Sequence, residues 1–100
     1  MTKKGVVPMN QCLRITFVSK NRIEILCEFV QKHAQKYELE GMVQPVEDIH
    51  VKIIACGDRD NIEKFLDTLH KSAAERNLEA IEVEPFLKDR DYRGVFRCIE

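Results

Sequence analysis

The chain has 100 residues, 44% of them hydrophobic, which suits one independently folding core and leaves no room for a second. Its 16 Lys and Arg against 17 Asp and Glu give a formal net charge of -1, without the electrostatic excess that marks a nucleic-acid or anionic-membrane binder. No apolar run approaches the ~20 residues needed to cross a bilayer, and no signal-peptide apolar core follows Met1-Thr2-Lys3-Lys4, so a cytoplasmic location is expected.

Residues 1–10 carry a Gly, a Pro and no periodicity, and read as a flexible lead-in to a domain over 11–100. From Cys12 to Val18 the chain alternates, with Leu13, Ile15 and Phe17 on one face and Arg14 and Thr16 on the other, as in a half-buried strand. Asn21 followed by Glu24 has the spacing of a capping box and predicts a helix start. Leu26, Phe29, Val30, His33, Ala34 and Tyr37 then form one apolar stripe that ends before Gly41. On that stripe His33 reads as a packed histidine at the core edge.

Met42 to Val46 and Ile49 to Cys56, joined by Glu47 and Asp48, suggest an antiparallel hairpin with Val51, Ile53 and Ala55 facing the core. Asp60 and Glu63 repeat the capping-box spacing. Ile62, Phe65, Leu66, Leu69 and Ala73 give a second helix its buried face, and Asn77 can close it. Ile81 and Val83 alternate with Glu82 and Glu84 in a fourth strand stopped by Pro85. Val95 to Ile99 supply a short edge strand after a charged segment, 86–93, read as a connection.

The predicted order is β-α-β-β-α-β plus one strand. Right-handed crossovers then place both helices on one face of a four- or five-stranded mixed sheet, an α+β ferredoxin-like sandwich. That fold hosts enzymes, metal carriers and RNA binders alike, so function must come from a site. An RNA-binding sheet needs exposed aromatics on its central strands. Phe17 belongs to the core face and the third strand has none, so no nucleic-acid partner is expected. Cys12, Cys27, Cys56 and Cys98 form no C-x-x-C pair, and His33, His50 and His70 no His-x-x-x-His couple, so no metal is expected. The four cysteines are read as free, buried, small apolar residues.

The stretch Glu40-Gly41-Met42-Val43-Gln44-Pro45-Val46-Glu47-Asp48-Ile49-His50-Val51-Lys52-Ile53-Ile54-Ala55-Cys56-Gly57-Asp58 resembles the second signature of the acylphosphatase family, roughly G-[aromatic]-V-x-N, a polar turn, then V-x-[VI]-x-A-x-G. The resemblance continues through Ile62-Glu63-Lys64-Phe65-Leu66 and into Gly94-Val95-Phe96-Arg97. It implies a small ferredoxin-like hydrolase that cleaves acyl phosphates without metal or cofactor. In that family an arginine closes a glycine-rich phosphate-binding loop, and an asparagine at the end of the next strand positions the attacking water.

An ungapped count from Gly41 puts Ser19-Lys20-Asn21-Arg22-Ile23-Glu24-Ile25-Leu26 on that loop, Cys27 on the arginine and Pro45 on the asparagine. A thiol offers no bidentate fork, and proline has no polar side-chain atom. Ile23 and Ile25 resist the backbone angles that glycine allows, and Glu24 adds negative charge. Removal of one transition-state donor costs about 10²–10³ in rate, so no catalytic residue and little acyl phosphate turnover are expected.

The expected role is a monomeric binding or interaction module, with a protein or a small anion as partner and no membrane. The alternative is a divergent acylphosphatase in which Lys20 or Arg22 replaces the guanidinium. Ser19, Lys20, Asn21 and Arg22 are the candidate anion-binding group, because they lie beside a helix N-terminus. Cys27 sits inside the first helix with no neighbouring base, and so reads as inert rather than nucleophilic.

Overall fold

The computed structural model describes residues 10–47, 49–87 and 92–99. Strands β1 (Asn10–Ser19), β2 (Glu40–Glu47), β3 (His50–Asp58), β4 (Leu78–Pro85) and β5 (Phe96–Cys98) and helices α1 (Ile23–Lys36) and α2 (Arg59–Arg76) follow in the order β1-α1-β2-β3-α2-β4-β5. The strands form one sheet in the order β4-β1-β3-β2-β5, antiparallel except for the parallel β2–β5 pair. This is the ferredoxin-like sandwich read from the alternation, with the fifth strand present. The expected lead-in lies outside the described residues apart from Asn10, as do Asp48 of the hairpin turn and Lys88 to Asp91 of the charged segment.

The period-two pattern of β1 and β3 settles which side the helices cover. Ile15 and Phe17 of β1 and Val51, Ile53 and Ala55 of β3 are buried in one cluster with Leu26, Phe29 and Val30 of α1 and Ile62, Phe65 and Leu69 of α2. Helix α1 lies over β2 and β5, and α2 over β3 and β4. On the outer face Arg14 of β1 pairs with Glu84 of β4. The rest of that face is not bare. Met42, Ile54, Cys56 and Tyr92 form a second buried cluster, packed by Cys12, Phe86 and Ile99. The segment read as a plain connection thus packs both described ends, Phe86 and Tyr92, onto the sheet.

Both helix starts differ from the capping-box reading. Asp58 at the end of β3 is still extended, and its side chain accepts from Asp60 N at 3.0 Å, so Asp60 is already inside α2. Helix α1 begins after Arg22 with no side-chain cap. Asn21 is drawn elsewhere, as described below. At the far end of α2, Asn77 adopts the left-handed conformation (φ 57°) and closes the helix as expected. Ala80 (φ 55°) marks an irregularity in β4 where its register with β1 shifts between Thr16 and Val18, a bulge without a sequence signal.

The cysteine reading is corrected: all four are paired. Cys12 and Cys56, which face each other in the β1–β3 register with Cα atoms 4.1 Å apart, form one disulfide. Cys27 of α1 and Cys98 of β5 form the other, across a sequence separation of 71. Spacing could not reveal either bond, because one depends on strand register and the other on the docking of an edge strand under a helix.

Gly41 of β2 has φ 143°, and a Cβ there would sit 1.8 Å from the backbone oxygen of Ile54 on β3. Neither conformation nor space admits a side chain. Gly41→Ala is expected to cost more than about 3 kcal/mol or to prevent folding, by the clash and strain routes that give the largest single-residue losses, as read by urea unfolding.

Candidate functional site

Strand β1 ends, α1 begins and the β2–β3 hairpin turns at one pole of the sheet. Ser19 N donates to Ile49 O at 2.8 Å, which ties the loop before α1 to that hairpin. Ser19 is buried, and its Oγ accepts from both Asn21 N and Asn21 Nδ2 at 3.1 Å. Asn21 Nδ2 also donates to the carbonyl of Arg76, so the loop is fastened to the C-terminal end of α2. Arg22 pairs with Glu24 at 3.6 Å, both side chains being exposed. Lys20 is exposed and lines a shallow cavity of about 310 Å³ with Val18, Asn21, Asn77 and Glu79.

The four candidate anion-binding residues are therefore adjacent but differently employed. Ser19 and Asn21 hold the loop's shape, Arg22 faces a carboxylate, and Lys20 shares its cavity with the acidic Glu79. The first amides of α1 have no acceptor within the helix, and Glu24 in that first turn supplies the negative charge that the helix dipole favours.

Cys27 lies on the buried stripe of α1, 5% exposed, with its sulfur bonded to Cys98. One turn further along, Gln31 Nε2 donates to Phe96 O at 2.8 Å, a second tie from α1 to β5. Cys98 pairs in register with Val43 of β2. Pro45 has the same parity as Val43, so it faces the helix layer, opposite Val51 of β3. The Cys27–Cys98 bond and Pro45 thus lie on the helix side of the sheet, with the bond level with the middle of β2 and Pro45 nearer the β2–β3 hairpin. In the sequence Cys98 reads only as one of four buried cysteines, and Gln31 has no signal. Their part appears only once β5 is seen beneath α1.

His33 is packed as expected. Its ring meets Phe29 edge-on at 4.7 Å between centroids, and the guanidinium of Arg76 lies 3.9 Å from the Phe29 centroid. His33 Nδ1 is buried without a hydrogen-bond partner among the described residues. Burial, then the charges of Lys36, Lys32 and Arg76, hold its pKa below the ordinary 6.5.

The fold has counterparts among known proteins. A family model described as Acylphosphatase matches residues 27–97. A protein named acylphosphatase from Methanococcoides burtonii is 42% identical over 55 residues, which are 55% of this chain and 57% of that relative, so the match spans little more than half of the relative's length. The solved acylphosphatase from Coxiella burnetii superposes with a TM-score of 0.76 at 26% identity, over 90% of this chain and 93% of the other. The acylphosphatase structure from Bacillus subtilis shares the fold, with a TM-score of 0.69 at 22% identity over 92% of this chain and all of the other. The chain belongs to the acylphosphatase family.

The lowered pKa of His33 sets the sign of one pH effect. The unfolded chain takes up this proton more readily than the folded one, so the contribution favouring the fold is present above about pH 6.5 and is lost as the pH falls below it. Urea midpoints are expected to drop between about pH 7 and pH 5, and to drop less in His33→Gln. An unchanged slope in the variant would show that His33 does not carry the effect.

Proposed function

We propose that this member of the acylphosphatase family does not turn over acyl phosphates and serves instead as a binding or interaction module. The observation that carries the reading is Cys27. The ungapped count sets it at the family's arginine, and its sulfur is bonded to Cys98 rather than available to any substrate. Pro45, at the family's asparagine, has no atom with which to orient water. Ile23 and Ile25 open α1 where the family has a glycine-rich loop, and the span matched by the family model begins at Cys27, past that loop. With each lost transition-state donor worth about 10²–10³ in rate, a pole without the guanidinium and the amide runs close to the uncatalysed reaction.

The proposed partner is a protein or a small anion, with no cofactor and no nucleic acid, and the chain acts as a monomer. The edge that β4 forms among the described residues supports the last point. It carries exposed Glu79, Glu82 and Glu84 and the irregularity at Ala80, features that discourage edge-to-edge pairing. No described helix is long and apolar enough to cross a membrane. In the cytoplasmic location proposed from the sequence, both disulfides would meet a reducing thiol pool.

A second reading is favoured by the match to the family model and by the relative named acylphosphatase at 42% identity. In it Lys20 or Arg22, beside the N-terminus of α1, replaces the missing guanidinium. Hydrolysis of benzoyl phosphate by the full chain separates the two. The expected result is a rate equal to the buffer blank, unaltered in Lys20→Ala/Arg22→Ala. A rate well above the blank that disappears in the double variant would replace the first reading with the second.

A further inference from the structure

The two disulfides cross-link very different parts of the sheet. Cys12–Cys56 joins central strands that already share nine in-register pairs, from Asn10↔Asp58 to Val18↔His50. Cys27–Cys98 anchors β5, a strand of three residues at the sheet edge, whose pairing with β2 runs only from Gly41 to Val43. Loss of the first bond removes a tie from the best-held ladder in the molecule. Loss of the second leaves β5 to its short pairing, the Gln31–Phe96 hydrogen bond and the burial of Phe96.

The two sulfurs of the edge bond also differ in access. Cys27 is buried at 5% exposure, whereas Cys98 is partly exposed and lines an open cavity of about 690 Å³, with Arg93 and Arg97 on its wall. Cys98 is thus the more accessible end of the bond to an incoming thiolate.

We propose that Cys27–Cys98 is a reducible latch on the C-terminal segment 92–99. The thiolate of a dithiol reductant attacks Cys98 Sγ, a mixed disulfide forms, and the Cys27–Cys98 bond breaks with Cys27 leaving as a thiolate that takes up a proton. The reductant's second thiolate then attacks its own sulfur in the mixed disulfide and expels Cys98, which is protonated in turn. The reductant ends as a cyclic disulfide, and the protein has gained two electrons and two protons. Reduction makes local opening of 92–99 easier while β1, β3 and the helices stay folded, because β5 pairs with β2 over three residues at the sheet edge whereas β1 and β3 pair over nine. Opening lifts Tyr92 and Ile99 from Met42, Ile54 and Cys56 and bares an apolar patch on the outer sheet face.

Amide hydrogen exchange on the full chain tests this, with dithiothreitol as the reductant and alkylation mass to report which bond is open. Gly41 N and Ile99 N report on the latch, since they donate to Val95 O and Val43 O across the β2–β5 pair. In Cys12→Ser/Cys56→Ser, reduction acts on the edge bond alone. Exchange at Gly41 and Ile99 is expected to accelerate about tenfold or more, with Ile15 and Ile53 unchanged. If the variant does not fold, the wild-type chain trapped by alkylation at Cys27 and Cys98 takes its place. Unchanged exchange at Gly41 and Ile99 after the edge bond is open would overturn the proposal. So would equal acceleration at Ile15 and Ile53, which would make the bond a staple of the whole domain.

Discussion

The antiparallel ladder between β1 and β3 is the constraint on which the rest of the molecule depends. It stands at the centre of the sheet, and its register sets Ile15 against Ile53 and Phe17 against Val51. A shift of one residue would turn every one of these side chains to the opposite face. With the register as it is, both helices have a single apolar surface to cover, Cys12 comes opposite Cys56, and the end of β1 is delivered beside the β2–β3 turn. The pole that carries the candidate site is therefore a product of strand pairing before any polar residue there is considered.

Much of this was legible in the chain. The alternation of Leu13, Ile15 and Phe17 and the stripes of Leu26–Tyr37 and Ile62–Ala73 named the core almost residue by residue, because burial on one face leaves a period that local sequence cannot hide. The motif around Val51 to Gly57 led to the family. Counting sets Cys27 and Pro45 against the family's arginine and asparagine as an expectation, and both residues lie on the helix side of the sheet.

What escaped the sequence was set by geometry between distant segments. The helix caps were misplaced because Asn21 found better partners in Ser19 and the carbonyl of Arg76, 55 residues away, and because Asp58 at the end of a strand could serve α2. The bulge at Ala80 accompanies the register shift between β4 and β1, and alanine carries no mark of it. The disulfides were missed for the same reason: each sulfur meets its partner only after the sheet has formed.

The order of the cysteines along the chain gives the two bonds one more property. Cys12–Cys56 and Cys27–Cys98 interleave, since each bond has one end inside the loop closed by the other. A single break in the backbone anywhere between Cys12 and Cys98 is therefore always spanned by at least one bond. A nicked chain remains one covalent molecule, and neither an N-terminal nor a C-terminal fragment can leave until a disulfide is opened. The integrity of this domain is thus held by a covalent network as well as by the continuity of its polypeptide.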